Sequence, residues 1–123
     1  MQTIVHYTLH LGFPLVIALV FFRDRWQWAW LILMLTMLVD LDHFAATPFF
    51  DPNRCSIGFH PLHSWIAIGV YLILLFFRQT RIVAVGLLFH MFTDLVDCLW
   101  TFARCHDCWL NSRIHEVIGQ LGH

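Results

Sequence analysis

Two carboxylates and an imidazole stand at the end of a long apolar run, in the stretch Asp40-Leu41-Asp42-His43. Ionisable groups inside a membrane segment are costly unless they are paired or hydrated, so each one is a candidate functional residue. Similar groups interrupt the other apolar runs, where they recur three or four positions apart: His6 with His10, His60 with His63, and His90 with Asp94.

These residue types and spacings predict a metal site. Side chains three or four positions apart share one face of a helix, so a single helix can offer two ligands to one ion. Histidine combined with aspartate suits Zn²⁺, Mn²⁺ or Fe²⁺, of which zinc is the expected ion. The candidate ligands are His6, His10, Asp40, His43, His60, His63, His90 and Asp94. One ion does not need so many donors, so we expect two ions.

Two other residues are candidates for catalysis. Asp42 is a candidate general base or bridging ligand, and Arg54 can pair bidentately with a phosphate. Each also has a simpler interpretation, in which Asp42 caps a helix end or faces water and Arg54 is a surface residue. An isolated histidine such as His6 is often only a packing residue. His43, His63, His90 and Asp94 together are harder to explain in that way, because four independent coincidences of depth and spacing would be needed.

The composition places these residues in a membrane protein. Hydrophobic residues make up 59% of the 123 residues and charged residues only 12%, whereas soluble domains carry about 25% charged residues. The chain has no Lys, seven Arg and a net charge of -1, which argues against binding to nucleic acid. Its length predicts a single domain over residues 1–123.

Four apolar segments have about the 20 residues that a hydrocarbon core requires. The expected fold is therefore all-α, a four-helix transmembrane bundle followed by a short interfacial helix near residues 110–121. The predicted spans are residues 3–22, 26–44, 61–77 and 82–102. Arg23, Arg25, Arg78 and Arg81 lie in the two short turns. The positive-inside rule then places both termini and the loop of residues 45–59 outside.

The depths of the polar residues predict one cluster. At about 1.5 Å per residue, Asp40 to His43 lie about 21 to 26 Å from the cytoplasmic end of the second helix. The same count puts His90 at about 12 Å and Asp94 at about 18 Å along the fourth helix. The remaining histidines start from the outer end. Every helix thus places its polar groups in the outer half of the bilayer.

The four cysteines, Cys55, Cys98, Cys105 and Cys108, are all expected at or near the outer face. Disulfides are plausible in an oxidising compartment, although the sequence does not determine their pairing. The pair Cys105 and Cys108 encloses His106 and Asp107, which also fits a redox pair or half of a zinc site.

At these residues the chain resembles the small bacterial inner-membrane metal-dependent hydrolases of the YdjM type. The matching stretches are His6 or His10, Asp40-Leu41-Asp42-His43, Leu62-His63-Ser64 and His90-Met91-Phe92-Thr93-Asp94, over about residues 6–94. The gap between His60 and His63 is shorter than in that pattern, and the cysteine-containing tail has no counterpart in it. The family is distantly similar to zinc phospholipase C, so the resemblance implies phosphoester hydrolysis.

We therefore expect a hydrolase of the bacterial inner membrane that uses a metal-activated water on a lipid ester or phosphoester near the outer leaflet. The lipid would be both substrate and solvent, and assembly with further copies of the chain is left open. The alternatives are a metal-binding or haem-binding membrane protein without enzymatic activity and a small subunit of a larger membrane complex. Carboxylates among the ligands disfavour haem, which is held by axial His or Met.

Overall fold

In a computed structural model of the protein, residues 1–45 and 55–122 are described, except for the side chains of residues 2–3 and 43–45. All regular elements within these ranges are helical. The predicted all-α class is therefore confirmed.

The first helical segment contains an irregular turn around His10. Helix α1 (Gln2–Tyr7) continues into a π-helical turn (Thr8–Gly12) and then into α2 (Phe13–Phe21). Pro14, within the first turn of α2, has no N–H to donate to the carbonyl of His10, which is the bond that an uninterrupted α-helix would form there. The Phe13 N–H instead bonds to the Thr8 carbonyl, five residues back. Such π-turns are frequent at functional sites.

The second segment changes from α-helix to 3₁₀-helix before it reaches the two aspartates. Helix α3 (Trp26–Leu35) is followed by a 3₁₀-helix over Thr36–Ala45. At this junction the Thr36 hydroxyl donates to the Leu33 carbonyl at 2.6 Å. Side-chain hydroxyls that bond to the preceding turn compete with the α-helical pattern and bend helices. In a 3₁₀-helix residues i and i+3 lie on one face, so Met37 and Asp40 point in the same direction.

The third segment begins with a short 3₁₀ turn, Pro61–His63, and continues as α4 (Trp65–Leu74). Ser64 is the N-cap of α4, and its hydroxyl accepts a hydrogen bond from the Ala67 N–H at 3.2 Å. This cap satisfies one of the backbone donors that a helix start leaves open. It also places His63 immediately before the helix.

The longest helix, α5 (Arg81–Arg104), carries one buried face along most of its length. The buried residues of that face are Ala84, Gly86, His90, Met91, Thr93, Asp94 and Cys98. Gly86 permits a close approach to the second segment, because a β-carbon there would lie 2.6 Å from Thr36 Oγ1. His90, one helical turn further on, is thereby brought opposite the 3₁₀-helix that carries Asp40.

Two short helices follow, α6 (His106–Leu110) and α7 (Arg113–Leu121). Ser112 caps α7 by accepting from the His115 N–H at 3.1 Å. A helix is therefore present where the short C-terminal helix was expected, while its placement at a membrane interface remains a prediction.

Among the described residues, two helical stretches are long and apolar enough to cross a membrane, Ile4–Phe21 and Arg81–Arg104. Trp65–Leu74 is apolar but shorter. The predicted spans 3–22 and 82–102 thus correspond closely to long apolar helices. The predicted spans 26–44 and 61–77 contain shorter α-helices with 3₁₀ elements, so four transmembrane helices remain a prediction.

The packed interior is divided into two apolar clusters. One consists of Ile17, Ala18, Ala29 and Leu33, near the first short turn. The other consists of Val39, Tyr71 and Met91. Val39 and Met91 each adjoin a polar residue of the site, Asp40 and His90, so this second cluster packs beside the polar centre.

Two disulfides connect the cysteines. Cys55 pairs with Cys98, across 43 residues of sequence, and Cys105 pairs with Cys108. The first disulfide attaches the segment that leads into His60 and His63 to α5, one helical turn beyond Asp94.

Candidate metal centre

Four helical elements each contribute to one polar centre in the interior. Helix α5 supplies His90 and Asp94, which are four residues apart and therefore on one face. The 3₁₀-helix of the second segment supplies Asp40, the turn before α4 supplies His63, and the π-turn of the first segment supplies His10. The polar side chains that the sequence spreads over about 85 residues thus meet at one place.

The first group of ligand atoms comprises Asp40, His63, His90 and Asp94, and these atoms all lie within 4.8 Å of one another. His63 Nε2 lies 3.0 Å from Asp94 Oδ2 and 3.2 Å from His90 Nε2. His90 Nε2 lies 3.0 Å from Asp40 Oδ1 and 3.5 Å from Asp94 Oδ2. His63 Nε2 lies 3.5 Å from Asp40 Oδ1.

These distances fit a metal ion. Four ligands at about 2.0 to 2.1 Å from a tetrahedral ion lie about 3.3 Å from one another. The five distances above run from 3.0 to 3.5 Å and so bracket that edge length. Two imidazoles and two carboxylates are also a donor set that binds divalent ions well. The group can therefore hold a metal ion.

A second group shares Asp94 with the first. It comprises His6, His10 and Asp94, again with all ligand atoms within 4.8 Å. His10 Nε2 lies 3.4 Å from Asp94 Oδ1, whereas Asp94 Oδ2 faces His63 and His90. The His6 and His10 rings are 4.2 Å apart. The two oxygens of one carboxylate thus face two different sets of histidines.

Within the described part of the chain, several buried atoms of the centre have no hydrogen-bond partner. Both ring nitrogens of His10 and Oδ2 of Asp94 are of this kind, although Asp94 Oδ2 is only 3.0 Å from His63 Nε2. That contact therefore has the distance of a hydrogen bond without its geometry. Buried polar atoms are normally satisfied, and an unsatisfied one costs about 1 to 3 kcal/mol. A bound cation would satisfy Asp94 Oδ2 or one ring nitrogen of His10.

A set of outer contacts holds the two histidines of the first group. Asp42 Oδ2 lies 3.1 Å from His63 Nδ1 and accepts the Leu62 N–H at 2.9 Å. The Tyr71 hydroxyl donates to the Leu62 carbonyl at 2.9 Å. On the other histidine, His90 Nδ1 lies 3.2 Å from Met37 Sδ.

The centre is buried on most sides. The side chains of His63 and His90 are fully buried and that of Asp94 is 5% exposed, whereas that of Asp40 is 40% exposed. On the side of the second group, a narrow, partly open cleft with a cavity volume of about 10 Å³ lies between the first segment and α5, which is room for about one water molecule. His6 and Asp97 form its polar part, and Val5, Leu9 and Trp100 are among its apolar lining.

The structure brings together most, but not all, of the residues predicted to bind metal. The two groups contain His6, His10, Asp40, His63, His90 and Asp94. His60 is buried but belongs to neither group, and its ring centroid lies 5.9 Å from that of His63. Asp42, the candidate general base or bridging ligand, lies at the opposite ring nitrogen of His63 from the first group. The side chain of His43 and the whole of Arg54 lie outside the described residues.

Comparison with known proteins assigns the chain to a family. A family model described as "Family of unknown function (DUF6122)" matches residues 1–101. The chain belongs to the DUF6122 family. No curated protein and no solved structure matches it. The part matched to the DUF6122 family includes both groups of ligands and the Cys55–Cys98 disulfide, whereas Cys105, Cys108 and α7 follow it.

Two contacts of the centre escaped sequence reasoning in this DUF6122 chain. Met37 lies against His90, and Tyr71 holds the turn that carries His63. Met37 precedes Asp40 by three residues, a spacing that places both on one face of an α-helix and aligns them directly in a 3₁₀-helix. Tyr71 is the one polar side chain in the middle of the otherwise apolar helix α4. A single hydroxyl in such a helix indicates a specific hydrogen-bond partner.

Proposed function

We propose that this protein is a membrane-embedded metal-dependent hydrolase, with two divalent ions held by its polar centre, that cleaves an ester or phosphoester of a lipid. The first ion would be held by Asp40, His63, His90 and Asp94, and the second by His6, His10 and Asp94. Zinc suits these donors best, and manganese or iron(II) would also bind them.

The observation that carries this proposal is the position of the Asp94 carboxylate. Its two oxygens face two separate sets of histidines, at 3.4 Å from His10 Nε2 and 3.0 Å from His63 Nε2. A carboxylate shared in this way could bind one ion through each oxygen, as in a two-metal site. Among the described residues the second group offers three protein donors, the number that a catalytic zinc site has when its fourth position is left to water.

The chain's own residues would position and shield the reaction. Divalent ions in such a site polarise the scissile bond and lower the pKa of a coordinated water to about 7. The buried side chains of His63, His90 and Asp94 exclude bulk water from one side. Asp40, which is 40% exposed, and the cleft beside His6 leave the other sides accessible.

Exposed apolar side chains support a membrane location with four spans. Large hydrophobic residues are exposed on each of the four helical segments, among them Phe21, Trp28, Ile66 and Phe92 at 75%, 68%, 81% and 55%. Apolar surface distributed in this way around a bundle is unfavourable in water and favourable in lipid. With lipid around it, the second segment can cross the bilayer as α3 plus its 3₁₀ extension.

The disulfides support an outward-facing site. Disulfides persist in oxidising compartments and are rare in the cytosol. Cys55 and Cys98 adjoin the same end of the bundle as His63 and Asp94, so the centre would face the outer side of a bacterial inner membrane. This agrees with the four arginines of the two short turns lying on the opposite, cytoplasmic side.

A lipid substrate fits the location of the cleft. The cleft joins the polar pair His6 and Asp97 to the apolar side chains Val5, Leu9 and Trp100. A lipid ester has the same arrangement, a polar group joined to an apolar chain. A lipid whose chain lies against the outside of this cleft would have its headgroup linkage near His6 and Asp97, beside the second group.

Metal content and hydrolysis measured on the same detergent-purified protein test this proposal. We expect about two equivalents of zinc per chain, release of product from fluorescent phospholipids or lipid esters, and loss of both in Asp94→Asn. Asp24→Asn, at an exposed aspartate in the first short turn, is the matched control and should change neither. Metal binding without hydrolysis of any lipid would instead support the non-enzymatic alternative, and absence of bound metal would contradict the proposal.

A further inference from the structure

We propose that Asp42 is a positioning residue, which holds the proton of His63 on Nδ1 and thereby directs the lone pair of Nε2 toward the metal. This rests on the metal-binding part of the proposed function, and it differs from a role for Asp42 as general base or as a ligand. The evidence is the geometry around the two ring nitrogens of His63.

The two nitrogens of His63 face different surroundings. Nε2 lies among the ligand atoms of the first group, 3.0 Å from Asp94 Oδ2 and 3.5 Å from Asp40 Oδ1. Nδ1 lies 3.1 Å from Asp42 Oδ2. The His63 side chain is fully buried and that of Asp42 is 7% exposed, so water does not compete freely for this contact.

This arrangement suits one tautomer once a metal ion is bound. Nε2 also faces the carboxylates of Asp94 and Asp40, and its lone pair goes to the ion. The one proton of the neutral imidazole then stays on Nδ1, where the Asp42 carboxylate accepts it. Carboxylates that bind the outer nitrogen of a metal-binding histidine also raise its basicity, and their loss typically lowers metal affinity 10- to 100-fold.

Asp42 is itself fixed by the backbone of the turn. The oxygen that faces His63 Nδ1 also accepts the Leu62 N–H at 2.9 Å. One carboxylate oxygen thus contacts the ring of His63 and the backbone immediately before it. This couples the rotation of the imidazole to the position of the chain that carries it.

His90 supplies an internal comparison. Its outer nitrogen, Nδ1, lies 3.2 Å from Met37 Sδ, and a thioether is a weak, uncharged acceptor. The two histidines of one group therefore have different outer partners. Removing the Asp42 carboxylate should remove the hydrogen bond at Nδ1 of His63 and leave the surroundings of His90 Nδ1 as they are.

The turn has other supports, so the role of Asp42 can be separated from folding. The Tyr71 hydroxyl donates to the Leu62 carbonyl at 2.9 Å, and the Gly58 N–H donates to the His63 carbonyl at 2.9 Å. The His63 N–H donates to the His60 carbonyl at 3.1 Å. None of these three bonds uses the Asp42 side chain, so the backbone of residues 58–63 should persist in its variants.

The test combines zinc titration with nitrogen NMR of histidine-labelled protein in detergent. In Asp42→Ala we expect zinc affinity at the first site to fall about 10- to 100-fold, with the stoichiometry unchanged. In the zinc-bound protein we also expect the Nδ1–H proton of His63 to exchange faster with water, because it loses its buried carboxylate acceptor. Asp42→Asn keeps an acceptor of the same shape without its charge, so it should retain this hydrogen bond and lose less affinity. Asp24→Asn is the control and should resemble the unmodified protein.

Each other outcome is informative. Loss of one equivalent of zinc in Asp42→Ala would make Asp42 a ligand and overturn the proposal. Unchanged zinc affinity and Nδ1–H exchange with loss of hydrolysis would make it a general base, which would also overturn it. If the unmodified protein binds no zinc, the proposed function fails and the role of Asp42 fails with it. If the protein binds zinc and Asp42→Ala binds it as tightly, only the role of Asp42 fails. If Asp42→Ala does not fold, Asp42→Asn carries the test through the affinity change alone.

Discussion

At the scale of single residues, the centre depends on a few side chains with distinct tasks. Asp94 connects the two groups, and His6 belongs only to the second. His6 is also the most exposed of the three residues of the second group, at 27% for its side chain. Its Nδ1 lies 3.8 Å from Asp97 Oδ1. The two groups should therefore be separable by mutation even though they share a carboxylate.

We expect His6→Ala to remove one ion and to retain the other, because Asp40, His63, His90 and Asp94 remain in place. His90→Ala should have the opposite effect and empty the first site. Element analysis of both variants, each equilibrated with excess zinc and desalted, measures this. His115→Ala, in α7 and outside both groups, is the control. Full metal content in both His6→Ala and His90→Ala would contradict the two-site arrangement.

The sequence predicted many residues of this centre, because the spacing of residues along a helix and their distance from its end can be counted directly in the sequence. His90 with Asp94 follows directly from the i, i+4 rule, and His63 from its position at a helix start. His60 shows what residue spacing does not predict. It precedes His63 by only three residues, but its backbone is extended before the 3₁₀ turn begins, and the two rings lie 5.9 Å apart with His60 outside both groups. The conformation of a short turn around a proline was not available from residue spacing.

At the scale of elements, the contact between the second segment and α5 determines the distance from Asp40 to His90. Gly86 and Thr36 form its closest point, since a β-carbon at Gly86 would lie 2.6 Å from Thr36 Oγ1 and 2.7 Å from Thr36 Cγ2. Apolar periodicity predicted the helices themselves. It did not predict the change to 3₁₀-helix at Thr36, which depends on a hydroxyl bond to Leu33 and on this close packing.

We expect Gly86→Ala to separate the two elements, because the added methyl group overlaps the Thr36 side chain. Overpacking of this kind typically costs about 1 to 3 kcal/mol, and it should also lower zinc affinity at the first site by moving Asp40 away from His90. Thermal unfolding in detergent and zinc titration measure the two effects. Gly69→Ala in α4 is the matched control, since nothing lies within 4 Å of its β-carbon position.

The double variant Gly86→Ala/Thr36→Ala removes the overlapping atoms and should recover part of the lost affinity. If Gly86→Ala binds zinc as tightly as the unmodified protein, the close approach of the two elements does not position Asp40.

At the scale of the whole molecule, the bundle has an apolar end and a polar end. The cluster of Ile17, Ala18, Ala29 and Leu33 packs near the first short turn, while the candidate metal centre and both disulfides lie toward the other end. Hydropathy and depth predicted this division. The sequence did not determine the cysteine pairing, because four cysteines allow three connectivities. Which of the three forms depends on the segments that the fold brings into contact.

The Cys55–Cys98 disulfide should matter more to the molecule than Cys105–Cys108, because the two close very different loops. They span sequence separations of 43 and 3 residues, for which loop entropy gives stabilisations of about 4 and about 2 kcal/mol. The longer loop also contains His63, whereas the shorter one contains none of the candidate ligands.

We therefore expect Cys55→Ser/Cys98→Ser to lower both the unfolding temperature and the zinc affinity of the first site. Cys105→Ser/Cys108→Ser, which removes the same number of sulfur atoms, should leave zinc affinity unchanged. Equal effects of the two pairs on zinc affinity would show that the longer disulfide does not hold His63 against α5.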